Sequence, residues 1–93
     1  MKNMNINKIR IKLDKVDDKL LKTIKERTLL VDKILKLKKN KNQIIDQKRI
    51  NFILKRVKKF SKKAKIDPAI TVNIWKVMIK GFINYEYKKF KKK

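Results

Sequence analysis

The chain has 93 residues, a formal net charge of +22 and an apolar fraction of 42%. That length allows one domain at most, near the small end for a stable single core, and the apolar fraction excludes a disordered polyelectrolyte. Cysteine and histidine are both absent, which excludes disulfide frameworks, thiolate metal sites, most zinc chemistry and the Ser-His and Cys-His nucleophile pairs.

Glycine and proline occur once each, so turn signals are few and a β-rich fold is disfavoured. The first predicted element is a helix from Ile6 to about Lys39. Its apolar residues fall at Ile6, Ile9, Leu13, Val16, Leu20, Leu30, Ile34 and Leu37. These steps of three and four trace a heptad seam, widened on one flank by Ile24 and Val31. At 1.5 Å per residue the helix is roughly 50 Å long, whereas a compact domain of this size has a radius of gyration of only about 12 Å. The rest of one chain cannot cover such a stripe, so an entwined dimer is expected.

The segment Lys39-Asn40-Lys41-Asn42-Gln43 breaks the periodicity and reads as a loop. Asp46 is placed to cap a second helix whose apolar face holds Ile50, Ile53, Leu54, Val57 and Phe60. Asp67 followed by Pro68 marks the start of a third. That helix carries Ile70, Ile74, Trp75, Met78, Ile79, Phe82 and Ile83, and runs toward Tyr85–Phe90. The KKFKKK end at 88–93 reads as a frayed, basic, solvated tail. The predicted organisation is therefore all-α, three helices in a single domain over residues 1–93. No apolar run approaches the length of a membrane span or a signal-peptide core, which predicts a soluble, cytoplasmic chain.

The charge points to a polyanion partner, whether nucleic acid, an acidic membrane surface or a small multi-anionic ligand. Its plain alternative is compositional bias, because lysine, isoleucine and asparagine are heavily used and arginine is scarce. The lysines are spread along the whole chain, which favours the bias.

More telling are polar residues on apolar faces. Extending the first seam places Thr23 and Arg27 where Leu or Ile would be expected, while Arg10 and Lys38 share the flank of Ile24 and Val31. A guanidinium there is costly unless it meets an anion. A single polar residue that fixes helix register is the plain alternative for Arg27. Arg10 and Arg27 are about 25 Å apart along one helix, too far for one small ligand. In an antiparallel dimer, Arg10 of one chain can approach Arg27 and Lys38 of the other. The result is a water-poor pocket lined with cations, suited to a small dicarboxylate. Glu86 lies four residues after Phe82 on the third apolar stripe. It reads either as an ion pair with a neighbouring lysine or as a desolvated, partly protonated acid able to donate a hydrogen bond.

In this order and spacing, the residues resemble the all-helical class of chorismate mutases from about Ile9 to Tyr87. The carriers are IRIKLDKVDDKLLKTIKER with Arg10 and Arg27, then Lys38, then IIDQKRI with Asp46 and Arg49, then KIDPAITVNIWKVMI and Glu86. The resemblance implies that Arg27 and the partner chain's Arg10 clamp two substrate carboxylates. It implies that Lys38 contacts a carboxylate and the ether oxygen, that Arg49 supports the ring-carboxylate side, and that Glu86 faces the ether oxygen. The implied reaction is the pericyclic rearrangement of chorismate to prephenate in aromatic amino acid biosynthesis, with no cofactor and no metal. It requires only that the enolpyruvyl arm be held over the ring while charge growing on the ether oxygen is stabilised.

One position departs from the family. Ile50 stands where typical mutases carry a glutamate that reads the ring hydroxyl, and an apolar residue there resembles the isochorismate-pyruvate lyases, which form salicylate and pyruvate. Asp46 can still meet the ring hydroxyl, and Phe82 narrows the pocket where a small polar residue is common. The mutase reading leads and the lyase reading follows. A third reading, from another class, is a basic helical nucleic-acid-binding protein; no recognition motif supports it, and the aromatics fall mostly on apolar stripes.

Overall fold

The computed structural model of the chain describes residues 5–91. Helix α1 covers Ile6–Leu37, α2 covers Gln47–Lys63 and α3 covers Pro68–Lys91, with a short 3-10 turn at Lys41–Gln43. Among the described residues there is no strand, as predicted. These residues divide into two units, one ending at Lys33 and the other beginning at Ile34.

The first unit is the long arm of α1. Asn5 starts it, its Oδ1 accepting from the Lys8 amide at 2.9 Å in the manner of a helix N-cap. The predicted seam residues of this unit are open to solvent, from Ile9 at 44% to Ile6 at 65% exposure. The half-buried positions are instead Ile24, Arg27, Thr28, Val31 and Asp32, which share one face at helical spacing. Thr23, also placed on the seam, is exposed and donates to the Lys19 carbonyl at 3.0 Å.

In the second unit, α1 ends two residues before the predicted boundary. The Lys38 amide turns back to the Leu35 carbonyl at 3.2 Å. The Gln43 side chain then draws in the amides of Lys39 (2.6 Å) and Asn40 (3.3 Å). This local side-chain bonding competes with further helix and explains the 3-10 turn where the sequence reads as a plain loop. Leu35 and Ile44 are buried on either side of it.

Both predicted N-caps are present. Asp46 Oδ1 accepts from the Arg49 amide at 3.0 Å, and Asp67 Oδ1 from the Ala69 amide at 3.0 Å, directly before Pro68 opens α3. Removing the first cap by Asp46→Ala should destabilise the fold by about 1 kcal/mol, read from urea denaturation midpoints. Helix α2 closes on Lys65, whose φ of 59° lies in the left-handed region. The Ile66 amide reaches the Ser61 carbonyl at 2.8 Å and the Lys65 amide reaches Lys62 at 3.3 Å, the paired bonds of a Schellman closure. Glycine normally occupies this position because a Cβ is strained there. Lys65→Gly should therefore raise stability by about 0.5–1 kcal/mol, seen as a higher Tm.

Helices α2 and α3 pack against each other. Their polar junction is Ser61, 1% exposed, whose Oγ donates to the Val57 carbonyl at 2.7 Å and lies 2.6 Å from Thr71 Oγ1. Ile79 and Glu86 are the buried residues of α3. Three residues predicted for apolar faces remain exposed: Phe60 at 68%, Ile70 at 57% and Ile74 at 49%. One neighbouring helix covers only part of a wide apolar stripe. The frayed tail also needs correction. Lys88–Lys91 continue α3, with Phe90 half-buried and the lysines at the helix end where the dipole favours cations. Lys92 and Lys93 lie outside the described residues.

Candidate active site

Two of the sequence-derived site residues meet. Lys38, just past the end of α1, donates from Nζ to Glu86 Oε1 on α3 at 3.0 Å. The side chains are 18% and 9% exposed, so the pair is largely withdrawn from water and its attraction is weakly screened. They are 48 residues apart in the chain, and the turn at Lys41–Gln43 is what returns the backbone toward α2. The ion pair weighed for Glu86 is thus present, with Lys38 as the lysine. An ammonium carries three donors, so the bond to Glu86 is compatible with further contacts to a substrate oxygen.

Phe82 sits one turn before Glu86, half-buried, and meets Tyr85 edge to face with centroids 6.2 Å apart. At the start of α2, Asp46 is exposed and one carboxylate oxygen is engaged as the cap. Arg49 is also exposed, its guanidinium stacked over the Phe52 ring at 5.3 Å. Ile50 is half-buried and its amide bonds the Asp46 carbonyl at 3.0 Å. The hydroxyl-reading glutamate is thus replaced by a side chain with no polar atom.

On the α1 arm, Arg27 is half-buried and Arg10 fully exposed. A continuous helix keeps them about 25 Å apart, so one arm does not bring both to one small ligand. Sequence reasoning missed Phe52, although its i+3 spacing from Arg49 was the available signal. It also missed an open cleft of about 490 Å3 between α2 and α3, bordered by Trp75, Phe60 and Thr71. None of the sequence-derived site residues lines that cleft.

The chorismate mutase type II family model matches residues 9–87, a span that contains every residue just described. A chorismate mutase of Methanocaldococcus jannaschii is 33% identical over 72 residues, covering 76% of this chain and 73% of that protein. No solved structure matches with comparable significance.

Proposed function

Because the chain belongs to the chorismate mutase type II family, we infer that it is an isomerase that rearranges chorismate to prephenate, a step of aromatic amino acid biosynthesis. The observation that carries this reading is the withdrawn Lys38–Glu86 pair at 3.0 Å, a fixed positive charge inside the matched span. The reaction is pericyclic. One carbon–oxygen bond breaks as one carbon–carbon bond forms, with no proton transfer or covalent enzyme intermediate required. Orientation and stabilisation of the ether oxygen then supply the catalysis.

In this reading Lys38 meets the ether oxygen and a carboxylate, and Glu86 holds the lysine side chain in place. Arg27 and Arg10 of a second copy each take a substrate carboxylate as a bidentate guanidinium. Arg49 supports the ring-carboxylate side, Asp46 takes the ring hydroxyl in place of the missing glutamate, and Ile50 and Phe82 shape the apolar wall. Support for a homodimer comes from the solvent-exposed seam of α1 and from Arg10, which has no route to Arg27 along its own helix. The chemistry is that of a cytoplasmic metabolite, and among the described residues no helix is long and apolar enough to cross a membrane.

The comparisons favour neither the lyase reading prompted by Ile50 nor a purely nucleic-acid-binding role. Purified protein incubated separately with chorismate and with isochorismate tests the assignment. Prephenate from chorismate is the expected product, and predominant salicylate from isochorismate would overturn it.

A further inference from the structure

The excess positive charge is localised in a way that the even spread of lysines conceals. Helix α1 carries ten cations among its 32 residues, offset by five carboxylates. Helix α3 carries five, offset by Glu86. Helix α2 carries eight cations in 17 residues and no carboxylate at all. Its charge per residue is therefore about three times that of either other helix. Every one of these α2 cations is exposed.

Part of this charge is interleaved with aromatic rings. At about 100° per residue, Arg49, Phe52, Arg56, Lys59, Phe60 and Lys63 fall within an arc of about 100°, forming a stripe about 21 Å long. Phe52 is 55% exposed and Phe60 68% exposed, and Arg49 already stacks flat on Phe52. Arg56, Lys59, Phe60 and Lys63 also form one lip of the cleft between α2 and α3, opposite Thr71 and Trp75. At about 490 Å3 the cleft falls in the size range of small-molecule pockets, roughly 300–1,000 Å3, and is open enough to admit a flat ring.

We propose that this face of α2, with the adjoining cleft, binds single-stranded nucleic acid, the cations tracking the phosphates while Phe52, Phe60 and Trp75 stack on bases. Alternation of cations and rings along one groove is the pattern such binding requires. A duplex keeps its base faces stacked internally and offers these rings nothing to meet. A membrane surface would need the apolar face of α2 to be free for insertion. That face is turned to α3, where Ile50, Ile53, Leu54 and Val57 are half-buried and Ser61 is buried.

The test uses the full chain and a fluorescein-labelled oligothymidylate, read by anisotropy across a salt series. Three matched variants accompany it. The triple variant Arg56→Gln, Lys59→Gln, Lys63→Gln should flatten the slope of log K against log salt by about 2, at about 0.7 per neutralised contact. The control triple Lys15→Gln, Lys19→Gln, Lys22→Gln removes the same charge from α1 and should leave that slope unchanged. Phe60→Leu keeps all charge and should weaken binding about tenfold. Trp75 is the chain's only tryptophan, so its quenching by the oligomer reports ligand at the cleft. Chorismate turnover and circular dichroism of each variant verify the fold independently of nucleic acid. Equal flattening by both triples would overturn the proposal, as would an undisturbed Trp75. So would duplex DNA or anionic phosphatidylglycerol vesicles binding as tightly as the single strand.

Discussion

Replacing Lys38 with Met should lower kcat/KM for chorismate by about 100- to 1,000-fold, the usual cost of removing one preorganised charge from a developing oxyanion. The same change leaves the carboxylate of Glu86, 7% exposed, without the ammonium that sits 3.0 Å away. Stability should therefore drop as well, by about 1.5–3 kcal/mol. The double variant Lys38→Met, Glu86→Gln separates the two effects. With both charges gone the buried penalty is relieved, so the denaturation midpoint should recover while kcat/KM stays low. Recovery of both would make the pair structural and remove Lys38 from the chemistry. Glu86→Gln alone keeps an oxygen able to accept from Lys38, and should cost far less activity than Lys38→Met.

The second large effect concerns the arginines. Arg10→Ala and Arg27→Ala should each reduce kcat/KM by at least about 100-fold, since each removes a charge-assisted contact to a substrate carboxylate. Mixing the two inactive proteins, with denaturation and refolding to exchange subunits, should then restore about one quarter of the wild-type rate. Half of the dimers formed are mixed. In an isologous pair, one of their two sites draws Arg10 and Arg27 from undamaged chains. No recovery on mixing, with dimerisation verified by sedimentation, would mean that Arg10 does not serve a site completed by a second copy.

Much of this architecture is legible in the sequence because its signals are local. Asp46 and the Asp67-Pro68 pair announce helix starts through bonds spanning two or three residues, and the structure contains both. The turn at Lys41–Gln43 was harder to read because it depends on one glutamine side chain folding back on two amides. The closure of α2 was hidden because a lysine occupies a position that glycine usually marks. Periodicity located the apolar stripes correctly but did not say how much of each is covered, so Phe60, Ile70 and Ile74 emerged exposed.

The site divides along the same line. The unusual position of Glu86 on an apolar stripe is a local fact, four residues after Phe82. Its pairing with Lys38 rather than with any of the other lysines is not, since 48 residues separate the two and only the chain path decides. Ile50 could be recognised as a departure because it stands directly beside Arg49. The roles of Arg10 and Arg27 are furthest from reach: one helix holds them apart, and their relation belongs to an assembly rather than to a strand of text.

The uncovered seam of α1 bears on how such an enzyme would come into being in a cell. A lone arm with its leucines and isoleucines in water is held by little beyond backbone propagation. With the site completed by a second copy, newly made chains would have no output until they meet. At abundances well below the dissociation constant, total flux would rise with the square of expression rather than in proportion to it. Halving the dose of such a protein would then cost about three quarters of its yield, a steeper penalty than any monomeric catalyst faces.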